Sequence, residues 1–178
     1  MEGTVLTTER LELIPFEPAE IDLLMDVLSD PEVNECLTMQ RLSPDRQNGR
    51  KKMAAYFSDQ ERNGFSHWKI MTKGGEFLGT CGFVPVDETS EIEMAFMLKR
   101  SYWGKGYATE AANILVEWFF EHTYFSHLIG FARVGNEAWC RVLEKAGMHF
   151  RERCAIRGVQ CDLFQVLSPS MQKLVANS

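Results

Sequence analysis

Apolar positions change period several times along the chain, and each change marks an element. Glu9 to Phe16 partly alternates and reads as a strand halted near Pro15 and Pro18. Beyond Pro18, residues Ile21, Leu24, Met25 and Leu28 fall at helical spacing, and Ser29-Asp30-Pro31 punctuates the end of that run. Ser43-Pro44-Asp45 predicts a helix start, followed by a polar-faced helix bearing Met53, Ala54 and Phe57 that ends near Asn63-Gly64. The period then drops towards two. His67 to Thr72 and Glu76 to Val84 predict strands joined at Lys73-Gly74-Gly75, and Ile92 to Leu98 predicts a third after a loop from Pro85 to Ser90.

The second half returns to helical spacing. Ala111, Ala112, Leu115, Val116, Phe119 and Phe120 make a broad apolar face that predicts a helix from Thr109. Leu128 to Val134 reads as a short strand. Ala138, Val142, Leu143 and Ala146 then repeat at three and four, with Gly147 placed to cap their helix. A hairpin, about Phe150 to Ile156 and Val159 to Leu167, closes the pattern. This order predicts an α+β fold: a mixed, mostly antiparallel sheet of about seven strands flanked by about four helices. At 178 residues, a single domain over positions 1–178 is expected.

Composition narrows the function classes. With 45% hydrophobic and 25% charged residues the chain is an ordinary folding sequence. Its formal net charge of -6 argues against a nucleic-acid partner and mildly favours cations, protonated amines included. No apolar run approaches the roughly 18 residues of a membrane span, and Glu2, Glu9, Arg10 and Glu12 interrupt the start, so neither membrane nor signal peptide is expected. Five cysteines without a C-x-x-C pair fit a reducing compartment, and a cytoplasmic location is expected. A turn at Arg157-Gly158 would set Cys154 directly opposite Cys161; a disulfide or redox switch is conceivable there, two reduced residues on a sheet face being the simpler reading. His67, His122, His127 and His149 lack ligand spacing, so no metal site is expected.

The chemically informative stretch is Trp103-Gly104-Lys105-Gly106-Tyr107-Ala108-Thr109-Glu110-Ala111, set between a strand and an amphipathic helix. Glycines let backbone turn tightly and approach a ligand, and helix N-termini leave amide donors free, so the stretch is either a phosphate cradle or a plain helix-entry loop. Walker spacing is missing, and a dinucleotide fingerprint would need Gly or Ala where Thr109 stands. Gly79-Thr80-Cys81-Gly82 matches the G-x-x-G of an RNA-binding loop but sits inside a strand pattern, where small hairpin residues are the better reading.

Together with a preceding Glu-bearing strand, Asn136-Glu137-Ala138 and Leu143-Glu144-Lys145-Ala146-Gly147, this stretch resembles the GNAT acetyltransferases, in particular their RimJ/RimL-type branch. The likeness runs from Leu6-Thr7-Thr8-Glu9-Arg10-Leu11 and Ser29-Asp30-Pro31-Glu32-Val33 to Arg157-Gly158-Val159 with Asp162. It implies a splayed sheet that takes acetyl-CoA between two parallel strands. By resemblance, amides from Gly104 to Thr109, in the loop Trp103, Gly104, Lys105, Gly106, Tyr107 and Ala108, hold the diphosphate, and Lys105 could add charge. Phe96, Met97 and Leu98 would pair with the pantetheine arm, and Asn136 would touch it unless it serves as a helix N-cap. Trp139 is read as a wall against pantetheine or substrate.

The implied reaction moves an acetyl group to a primary amine, either a protein N-terminus such as a ribosomal protein's or a small molecule. Such an amine has a pKa of about 10 and must lose a proton first. Glu93 aligns with the strand glutamate of the family, on the opposite face from Ile92, Met94 and Phe96, and is the candidate base; a merely solvated strand carboxylate is the alternative. A backbone amide near Phe96 or Met97 would polarise the carbonyl. Trp139 and Leu143 stand where relatives carry Ser and Tyr as proton donors. The thiolate could leave unassisted, Cys140 or Tyr107 could substitute, or the chain could be a CoA-binding module without turnover. Glu12, Glu20, Asp22 and Glu35 could draw a cationic acceptor or be scattered surface acids, and a homodimer is compatible with the sequence.

Overall fold

A computed structural model describes residues 6–37 and 45–178. The strands are β1 (Leu6–Thr7), β2 (Leu11–Pro15), β3 (His67–Thr72), β4 (Phe77–Pro85), β5 (Ile92–Leu98), β6 (His127–Arg133), β7 (His149–Ile156) and β8 (Val159–Leu167). The helices are α1 (Ile21–Leu28), α2 (Pro31–Cys36), α3 (Arg46–Asn63), α4 (Tyr107–His122), α5 (Glu137–Lys145) and α6 (Pro169–Ala176). All eight strands join one sheet in the order β1-β2-β3-β4-β5-β6-β8-β7, antiparallel except at β5–β6.

Two helices and one short strand go beyond the expected count, and both helices are entered in the same way. At α2 the Asp30 carboxylate accepts from Glu32 N at 2.9 Å and Pro31 takes the first helical position. At α6 Ser168 accepts from Met171 N and Pro169 follows it. Ser29-Asp30-Pro31 therefore starts a helix as well as ending one, because a short polar side chain followed by proline satisfies an N-terminus. For α3, Asp45 is the cap, accepting from Asn48 N at 2.8 Å; Ser43 and Pro44 lie outside the described residues. Helix α4 begins at Tyr107 rather than Thr109, so Ala108 and Thr109 are helical and the loop proper ends at Gly106. Gly147, at φ 86°, follows α5 as expected.

Each face of the sheet carries its own core. Leu11, Leu13, Trp68, Ile70, Phe83 and Met94 pack on one face under α4, where Trp68 and Trp118 meet edge to face at 5.0 Å. Phe16, Leu24, Val27, Met53 and Met97 pack on the other under α1 and α3. The small residues of β4 serve this layering: a Cβ on Gly79 would collide with the Met97 carbonyl oxygen, and one on Gly82 with that of Ser66. Close strand approach, not RNA contact, accounts for the Gly79–Gly82 pattern.

The feature that positions a site is the uneven pairing of β5. On one side β5 matches β4 from Gly79↔Leu98 to Pro85↔Ile92; on the other it meets β6 at Glu93↔Ile129 alone. Past that point the parallel strands part, and the β6-facing edge of Phe96, Met97 and Leu98 has no strand partner.

Candidate active site

A cleft of about 380 Å³ occupies the opening between β5 and β6. Its lining includes Phe96, Met97 and Leu98 of β5 on one side, and Phe131, Asn136 and Trp139 on the other. The floor is braced by Trp139. Its indole donates to the Phe131 carbonyl at 3.0 Å, and its ring lies 5.0 Å from that of Phe96. Asn136 performs the capping role weighed from the sequence, accepting from Trp139 N at 3.1 Å, while also facing the cleft. The Leu98 carbonyl accepts from the Trp103 indole at 2.7 Å, which folds the entry loop back over β5.

The N-terminus of α4 closes one end. Gly104 and Gly106 have φ of 72° and 81°, a left-handed region that side chains disfavour. Gly106 offers no side-chain cap, and the first amide with an acceptor inside the helix is that of Glu110, bonded to Gly106 O at 3.0 Å. The amides of Tyr107, Ala108 and Thr109 therefore sit at a positive helix end beside the cleft that these residues line, a donor set suited to a diphosphate. The Lys105 ammonium lies over the Tyr102 ring at 5.3 Å, and its carbonyl accepts from Arg10.

Arg10 is a residue the sequence reading passed over. Its guanidinium donates to Lys105 O at 2.9 Å and to Glu110 Oε2 at 2.6 Å, and covers the Tyr107 ring at 4.5 Å. Thr8 Oγ1 and Arg10 N donate to Glu110 Oε1 at 2.6 and 2.8 Å. Strand β2 and its approach thus clamp the cradle, and the only advance sign was the run Thr8-Glu9-Arg10 itself.

At the opposite end Glu93 is 4% exposed, so it is no solvated strand carboxylate. It lies on the α3 side of the sheet, between the Phe16–Met97 core and a second apolar cluster of Ile129, Phe131, Ile156 and Cys161. Arg157, from the β7–β8 turn, brings Nη1 to 3.8 Å from Glu93 Oε2. Lys52 reaches the same place from α3, with its ammonium 5.6 Å from the centre of the Tyr56 ring. Burial lowers Lys52 to about 8; Arg157 adds to that shift and Glu93 opposes it. His67 stacks on Tyr56 at 4.4 Å and is pulled to about 3 by burial and by Lys52, so it is neutral at pH 7. Among the described residues, His67 Nδ1 and Tyr56 Oη have no hydrogen-bond partner.

The proton-donor positions resolve into packing. Leu143 is fully buried against Gly130, and Cys140 packs on the main core with its thiol raised, chiefly by burial. Cys154 does stand opposite Cys161; both are free thiols in the apolar cluster near Glu93, and burial pushes Cys161 up to about 11. Glu20 and Asp22 are held in ion pairs with Lys69 and Arg46.

Residues 10–149 match the family model described as Acetyltransferase (GNAT) domain. The chain belongs to the GNAT acetyltransferases. "Uncharacterized protein YkkB" of Bacillus subtilis (strain 168) is 33% identical over 151 residues, covering 83% of this chain and 86% of that protein. The GNAT fold is shared with the ribosomal-protein-S5-alanine acetyltransferase of Vibrio fischeri, at a TM-score of 0.79 and 13% identity over 94% of this chain and 98% of that one. It is shared too with RimL, a ribosomal L7/L12 alpha-N-protein acetyltransferase solved with coenzyme A, at a TM-score of 0.76 and 14% identity over 92% and 98%. GNAT acetyltransferases use acetyl-CoA. Among the described residues no helix is long and apolar enough to cross a membrane, and no group of three or more His, Cys, Asp or Glu could hold a metal.

Proposed function

We propose that this GNAT protein, acting as one domain, transfers acetyl from acetyl-CoA to a primary amine by direct attack, with Glu93 as the general base. The observation that carries the reading is the position of Glu93: a buried carboxylate where β5 and β6 separate, at the far end of a cleft that begins at the α4 N-terminus.

The α4 amides and the clamped loop hold the diphosphate, and the unpaired edge of Phe96 and Met97 aligns the pantetheine arm. An amide of that edge donates to the thioester oxygen as it gains charge. Glu93 takes a proton from the ammonium through water, and the neutral amine then attacks; the new C–N bond forms as the C–S bond breaks, the nitrogen sheds its second proton to water, and the thiolate takes a proton from solvent. With an ordinary thiol pKa of about 8.5, that departure needs no dedicated acid, which agrees with apolar packing at Leu143 and Cys140.

The test is thiol release from acetyl-CoA with an amine panel that includes ribosomal-protein N-terminal peptides. Glu93→Gln is expected to lower kcat by about 10²–10⁴-fold while the Kd for CoA stays within about twofold. An equal loss in both would remove Glu93 from the role of base. Tight CoA binding with no thiol release from any amine would identify a binding module instead.

A further inference from the structure

The charge of the cleft runs against the charge of the chain. The sequence has a net charge of -6, yet among the described residues lining the cleft Lys52, Arg141, Lys145 and Arg157 are basic and Glu93 alone is acidic. Arg141 and Lys145 lie on α5, following Asn136. Lys52 and Arg157 come from unrelated elements, α3 and the β7–β8 turn, and both face Glu93.

One cation would neutralise Glu93. A second beside the same carboxylate repels an incoming ammonium, and the repulsion is strong where water is scarce. The arrangement becomes favourable when the acceptor brings its own anion. Lys52 and Arg157 both face that anion, and the amine is set beside Glu93. Arginine's planar fork and lysine's point charge together suit a carboxylate. Val33, Leu37 and Phe131 add apolar lining to the cleft.

Resting on the transfer reading above, we infer that the acceptor is a small amine bearing a carboxylate a few bonds from its nitrogen, received by Lys52 and Arg157 beside Glu93. A peptide N-terminus carries an amide at that position, so the assignment separates the two acceptor classes that the family leaves open.

The experiment uses matched acceptors: leucine, leucinamide, isoamylamine and a leucine-initiated tripeptide, with thiol release read as kcat/KM. The free acid is expected to exceed the carboxamide by about tenfold or more, because a carboxamide offers Lys52 and Arg157 no charge to bind. In Lys52→Met and Arg157→Gln that acid-to-carboxamide ratio should collapse towards one, and Arg157→Lys should restore part of it. CoA affinity of each variant checks that it has folded. Carboxamide or tripeptide turnover equal to or above that of the acid would overturn the acceptor assignment alone. Survival of the ratio in both charge-removing variants would do the same. No thiol release from any amine, with CoA still bound, would overturn the transfer reading and the assignment with it.

Discussion

Arg10 and Glu110 lie 100 positions apart in sequence and are joined by a bond of 2.6 Å from Nε to Oε2. This pair ties the first long strand to the first turn of α4, and the same guanidinium holds the Lys105 carbonyl. Burial alone would raise the Glu110 carboxyl, but hydrogen bonds from Thr8 and from the amide and guanidinium of Arg10 hold it below the ordinary carboxylate range. Its contribution is therefore present above the unfolded-state pKa and lost as pH falls below it. Glu110→Gln should cost about 1–2 kcal/mol at pH 7 and weaken CoA several-fold by loosening the cradle. Urea unfolding at pH 7 and near pH 4 checks the sign: the wild type should lose more stability on acidification than the variant.

Gly106 tests the cradle from the backbone. Its φ of 81° is strained for any side chain, and a Cβ there would stand 3.3 Å from Arg10 Nη2. Gly106→Ala should lower stability by about 1–2 kcal/mol and weaken CoA at least about tenfold. Calorimetric titration with CoA, beside a thermal melt, separates the two effects.

Lys52 carries a pH signature. Its folded pKa, about 8, lies below the value of 10.5 expected of an unhindered lysine, so the unfolded chain binds more protons between those two values. Stability should therefore rise with pH across that window, by up to about 3 kcal/mol from this group. Among the described residues, Glu93, Arg157, His67 and Tyr56 face Lys52. Comparing urea midpoints of wild type and Lys52→Met at pH 7 and pH 10 isolates its share; a gap independent of pH would show that Lys52 keeps an ordinary pKa.

Trp139 should prove structural as well as a cleft wall. Trp139→Ala removes the donor to the Phe131 carbonyl and the contact with Phe96 across the strand gap. A loss of about 2–4 kcal/mol is expected, read as a lower urea midpoint, with weaker CoA binding.

Much of the molecule was legible locally. Strands β3, β5 and β8 span the residues the sequence marked for them, because turn residues such as Lys73-Gly74-Gly75 and Arg157-Gly158 punctuate the pattern. Helices α2 and α6 were missed although Asp30-Pro31 and Ser168-Pro169 announced them, because neither carries an apolar stripe: α2 buries only Val33 and Asn34, and α6 buries no residue. The cradle from Trp103 to Thr109 was readable because its glycines and helix start are contiguous. Lys52, Arg10 and Arg157 were not, since each acts only where distant segments meet.

The sequence alone determined most of the elements, the glycine-marked helix entry and the opposition of Glu93 to Ile92 and Met94, since these follow from backbone periodicity and the steric freedom of single residues. Tertiary structure alone decided that β5 and β6 part after Glu93, that Arg10 locks Glu110, and that Lys52 and Arg157 converge on one carboxylate. Those outcomes depend on through-space electrostatics and strand divergence, which join residues that no local period connects.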